Sequence, residues 1–175
     1  MPIRTAFYYI LAQTLGSFTG AALISFLTPL DYDRQTETGV GFPKMGSEYN
    51  ESVGFFVEFL ATAIYMYMVM CFSQDHRLPK QVYGIACGLA CMLGILTAGP
   101  ITGGCMNPAR IVGPMIVSLY ESKSHPDIYQ QLNTYWFYFL GPIFGAILTS
   151  FYYEFFMFDS EDDAPEIEHA GYDPT

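Results

Sequence analysis

The chain is 175 residues long, 51% hydrophobic and only 14% charged, with a net charge of -10. That length suits one domain, the charged fraction is little over half the roughly 25% of an average soluble domain, and the negative balance repels a phosphate backbone, which excludes nucleic acid as a partner. The apolar residues gather in nearly charge-free stretches too long for ordinary strands, a pattern that disfavours a soluble enzyme and a disordered protein alike.

A spanning helix needs about 20 largely apolar residues, and four stretches supply them: 6–27, 53–72, 82–102 and 135–158. The first is uncharged and carries Gly16 and Gly20. It is longer than the roughly 7–15-residue core of a signal peptide, and no clear small-x-small cleavage site follows it, so it reads as a span. The second holds one charge, Glu58, and the third holds none but carries Gly84 and Gly88. Next comes Ala98-Gly99-Pro100-Ile101-Thr102-Gly103-Gly104-Cys105-Met106-Asn107-Pro108-Ala109-Arg110. Asn107 suits an N-cap and Pro108 a first helical position. The apolar run 109–119 is too short to cross a bilayer. A short helix after a Gly-rich turn predicts a re-entrant half-helix over about 108–119, since irregular backbone at membrane depth survives only where protein buries it or water lines it. The fourth span holds one charge, Glu154, with Gly141 and Gly145 inside and Tyr135, Trp136, Tyr138, Tyr152 and Tyr153 near its ends, where amphipathic rings favour the interface. Residues 1–158 are therefore read as the transmembrane domain and 159–175 as a solvated, disordered acidic tail.

Orientation is weakly set. Arg4, Arg77 and Lys80 on one side balance Arg34, Lys44 and Lys123 on the other, and the dense basic loop 75–80 tips both termini toward the cytoplasm. The three Gly-x-x-x-Gly steps suggest close helix packing, because small residues let backbones approach where lipid leaves little hydrophobic drive between helices. Two of the steps align further. The eleven residues from Gly16 match the eleven from Gly141 at Gly, Gly, Ala, Leu, Ser and Phe. The first and fourth of four spans run oppositely, so the match suggests an inverted-topology repeat. The fourth span is preceded by two spans and a loop, and the first by almost nothing; on this reading the opening two-thirds of a first half is missing.

Met106-Asn107-Pro108-Ala109-Arg110, with Gly113-Pro114, resembles the second Asn-Pro-Ala signature of the aquaporin (major intrinsic protein) family. Tyr9, Ala12, Gln13 and Gly16 look like the family's third helix, and Glu58 with Thr62 like its fourth. Trp136, Gly141-Pro142, Gly145 and Tyr153-Glu154-Phe155 look like its sixth. The likeness covers about 4–158. It implies an all-α membrane protein, an aquaporin-like right-handed helical bundle with an inverted repeat, here four transmembrane helices plus one re-entrant half-helix, with the N-terminal part missing.

The resemblance also implies roles. Asn107, in the Asn107-Pro108-Ala109 triplet, would cap the half-helix and point its amide into a pore, where the positive helix end repels cations and disfavours a continuous proton wire. Arg110 would be the filter cation, in line with the cost of placing an arginine in apolar sequence. Ile95 and Gly104 would fall on two further filter positions, and this pair removes a donor and widens the pore. The string 98–103 also looks like the nodulin-type, glycerol-permeable branch. Glu58 and Gln13 would support the pore loop. The expected function is a passive channel for water and small neutral solutes such as glycerol, excluding protons and cations. The alternative is a non-conducting assembly partner or regulator of full-length channels. No cofactor, metal or enzymatic role is expected: His76, His125 and His169 lie in loops or the tail, apart from any nucleophile. Expected partners are water and neutral solutes, the lipid bilayer, and copies of the chain in the family's homotetramer, with the plasma membrane favoured.

Overall fold

A computed structural model describes residues 2–28, 41–74, 80–121 and 135–157. Arg34, Arg77, Lys123, the three histidines and the acidic tail lie outside the described residues, and with them much of the orientation argument.

Among the described residues the regular structure is all helical. Helix α1 is Ile3–Leu27, α2 is Glu51–Gln74, a 3-10 turn at Lys80–Val82 leads into α3 at Tyr83–Thr102, α4 is Pro108–Glu121, and α5 is Phe137–Tyr152. A π turn, Tyr153–Met157, prolongs α5. Four of these are long and apolar enough to cross a membrane: Ile3–Leu27, Glu51–Gln74, Tyr83–Thr102 and Phe137–Met157. At 1.5 Å per residue the 14-residue α4 is only about 21 Å long, short of a hydrocarbon core of about 30 Å.

Local chemistry sets the ends. Asn50 Oδ1 accepts from the Val53 N–H at 3.0 Å, so Asn50 caps α2. Gly103, at φ 83°, closes α3 by donating its N–H to Gly99 O at 2.9 Å. No residue with a Cβ adopts that left-handed turn readily. Tyr135 and Trp136 form a turn ahead of α5 rather than its first helical residues, and Trp136 Nε1 donates to Glu51 Oε2 at the head of α2.

The helices pack as two groups. Helix α2 lies between α5 and α3, whereas α1 packs on α4. Along the α2–α5 seam the backbones nearly touch. A Cβ built on Gly141 would sit 2.9 Å from Glu58 Cβ, and one on Gly145 would sit 2.4 Å from Phe59 O. One turn further, Thr149 Oγ1 donates to Ala63 O at 2.8 Å. Around Gly16, Gly20, Gly84 and Gly88 no atom from another part of the described chain lies within 4 Å of such a Cβ. Burial follows the same division: 28% of the fifth helix's most apolar window is buried, against 6% of the first. Large apolar side chains such as Phe7, Ile10, Leu23, Ile85, Leu96 and Ile147 stand exposed, as suits helices solvated by lipid.

Candidate functional site

The segment between α3 and α4 is irregular backbone gathered on one carboxylate. Glu58, fully buried on α2, takes the Cys105 N–H on Oε1 at 2.9 Å and the Met106 N–H on Oε2 at 2.6 Å. The Thr102 hydroxyl donates to Oε1 at 2.6 Å. An ionised carboxylate is an acceptor with room for several donors, and here each oxygen is committed to the loop rather than to Arg110. Thr102 in turn accepts from the Gly104 N–H at 3.2 Å, and its carbonyl accepts from the Tyr138 hydroxyl of α5. Glu58 of α2 and Thr102 of α3 thus hold three loop N–H groups, and Tyr138 of α5 ties down Thr102.

The loop turns through left-handed φ angles at Gly103 (83°), Gly104 (63°) and Met106 (51°). Gly104 lies against α3: a Cβ there would be 3.1 Å from Ile95 Cα, which brings the two expected filter positions side by side. A left-handed φ is uncommon at a residue with a Cβ, and Met106 is held there from both ends. Its N–H is bound to Glu58, and its sulfur fills the space of the missing side chain at Gly94, 2.5 Å from where a Cβ would stand.

From this anchor α4 begins. Asn107 Oδ1 accepts from the Ala109 N–H at 3.0 Å, the N-cap bond that the sequence leads one to expect. The capping bond fixes the orientation of the amide, and its NH2 donates to Gln13 Oε1 of α1 at 3.0 Å. Pro108 and Ala109 open the helix, and Arg110 follows with its side chain exposed and close to the Cys105 sulfur. On the other side of α4, Ile111 is fully buried with Cys105, Tyr135, Phe137 and Tyr138. At the head of α4 Asn107 is thus bonded to Gln13 and followed by Arg110, while Ile95 lies against Gly104 in the loop that Glu58 holds. Sequence reasoning missed Thr102, Tyr138, Gly94 and Ser17. Ser17 Oγ donates to Arg110 O at 3.0 Å and accepts from the Gly113 N–H at 3.2 Å.

Fold and site together define a multi-span helical membrane protein with a half-helix hung from a buried carboxylate. Comparison with known proteins makes this specific. The Major intrinsic protein family model matches residues 1–153, and the chain belongs to that family. It is accordingly an integral membrane protein. It is 32% identical to Aquaporin A of Dictyostelium discoideum, over 94% of this chain and 54% of that one. It is 31% identical to Glycerol uptake facilitator protein-like 6 of Lactiplantibacillus plantarum, over 82% of this chain and 61% of that one. The chain thus spans a little over half the length of these relatives. The X-ray structure of the aquaglyceroporin from Plasmodium falciparum shares the fold, with a TM-score of 0.72 at 19% identity, over 90% of this chain and 66% of that one.

Proposed function

We propose that this protein acts in a passive membrane channel for water and small neutral solutes such as glycerol, and that α4 excludes protons and cations there. The observation that carries the reading is the fixed orientation of Asn107: its amide oxygen caps the helix and one N–H is held by Gln13, so the second N–H is a fixed donor left for a solute at the positive end of α4. A solute oxygen meeting such a donor accepts a hydrogen bond, and a cation meets a repulsive potential. Arg110, exposed one turn on, adds a second set of donors and a full positive charge. Ile95 is exposed and apolar, and Gly104 packed against it adds no side chain, a combination that suits a solute with a carbon skeleton. The names of the relatives, an aquaporin and a glycerol uptake facilitator, point the same way. Assembly as a homotetramer in the plasma membrane completes the proposal.

Proteoliposomes carrying the protein test it. Under a glycerol gradient they should re-swell several-fold faster than protein-free liposomes, without collapse of a proton gradient. Asn107→Asp and Arg110→Ala should each admit protons or cations. Re-swelling no faster than in protein-free liposomes overturns the channel reading.

A second reading, a non-conducting assembly partner of full-length channels, is supported by the open faces around Gly16, Gly20, Gly84 and Gly88. It requires co-purification with a co-expressed full-length relative, and fails if the two separate in mild detergent.

A further inference from the structure

Helix α4 carries Pro114 in its interior, four residues after Arg110. In an α-helix the carbonyl of residue i accepts from the N–H of residue i+4, and proline has no N–H. The carbonyl of Arg110 therefore lacks its helical donor. A backbone carbonyl left without a partner costs free energy, so another donor is favoured there.

The missing donor comes from another helix. The Ser17 hydroxyl of α1 donates to Arg110 O at 3.0 Å and accepts from the Gly113 N–H at 3.2 Å. One hydroxyl thus bridges a gap in the backbone ladder of α4, which requires a group that is donor and acceptor at once. It reaches that gap because the two backbones touch. A Cβ on Gly113 would lie 2.2 Å from the Ser17 carbonyl carbon and 2.4 Å from Phe18 N, so only glycine permits the crossing. Further along the same contact, Ala21 and Val117 are buried together.

We propose that Ser17 is a positioning residue for Arg110: by filling the carbonyl vacancy that Pro114 creates, it fixes the height and rotation of the backbone from which the guanidinium projects. The proposal deepens the channel reading and rests on Arg110 acting as a filter. Loss of the bridge frees the first turn of α4 to rotate while leaving the helix intact, so selectivity suffers before folding does.

The test is a double-substitution cycle in the reconstituted protein. Ser17→Ala removes the bridge without adding bulk, and Pro114→Ala returns a backbone N–H to Arg110 O. One hydrogen bond's net worth corresponds to about a threefold to tenfold change in an equilibrium. Ser17→Ala should therefore raise the ratio of cation leak to glycerol flux about threefold to tenfold, with unchanged far-UV circular dichroism. Ser17→Ala combined with Pro114→Ala should return that ratio to within about twofold of the parent. The second readout does not depend on conduction: the solid-state NMR 13C shift of the Arg110 carbonyl should move in Ser17→Ala and return in the double variant. An unmoved carbonyl, or a double variant as leaky as Ser17→Ala, overturns the proposal. A carbonyl that moves and returns, in a protein whose Arg110→Ala variant matches the parent in every flux, overturns the filter reading instead and leaves Ser17 as the anchor of the α4 backbone.

Discussion

Gly16 to Phe26 in α1 and Gly141 to Phe151 in α5 share six of eleven residues, yet the structure uses them differently. In α5 the glycines let α2 approach until a Cβ at Gly145 would collide with Phe59 O at 2.4 Å. In α1 the same spacing faces open space, and the close approach falls one residue later, where Ser17 meets Gly113. A small-residue step gives a helix the capacity for close packing; its neighbour decides whether that capacity is used.

Substitutions can break or sharpen this contrast. The largest effect is expected for Gly145→Ala, whose methyl group meets backbone rather than a yielding side chain; it should destabilise the protein by about 3 kcal/mol in a detergent unfolding titration. Gly141→Ala comes next, at about 1–2 kcal/mol. Its methyl presses on Glu58 Cβ, so it should also speed hydrogen exchange at the Cys105 and Met106 amides. Thr149→Val removes one bond between helices and should cost about 0.6 kcal/mol by the same titration. The smallest effect is expected for Gly20→Ala, where a methyl group meets no chain atom and alanine is the better helix former, giving no loss beyond about 0.5 kcal/mol. If Gly20→Ala were as damaging as Gly145→Ala, the α1 pair would be packed against a partner in the assembled protein, and the contrast would vanish.

The sequence declares some of this directly. Long apolar stretches between charged loops mark the four long helices, because a 3.6-residue spiral of apolar side chains needs no other signal in lipid. Asn107-Pro108 announces the start of α4 through capping chemistry that is local in the chain. Glu58 stands out as a lone carboxylate in apolar sequence, and such a group needs donors. What the sequence conceals is where those donors lie. Thr102 looks like an ordinary member of an apolar segment and Tyr138 like one more interfacial ring, yet Tyr138 is fully buried and the folded chain brings both to the loop. The vacancy at the Arg110 carbonyl is written in the chain as a proline four residues on, but nothing in the sequence says that a serine 93 residues earlier fills it. The glycine pairs show the same boundary: the letters repeat while the contacts do not.

The grip of Glu58 also bears on how the protein is made. The backbone donors that satisfy it lie 47 and 48 residues further along the chain. A polypeptide emerges from the ribosome amino end first, so α2 reaches the insertion machinery while Cys105 and Met106 are still unsynthesised. An acidic side chain committed to hydrocarbon at that moment costs up to about 3 kcal/mol. Helix α2 therefore carries that cost until the end of α3 is made, because the groups that satisfy Glu58 come only with the loop that follows it.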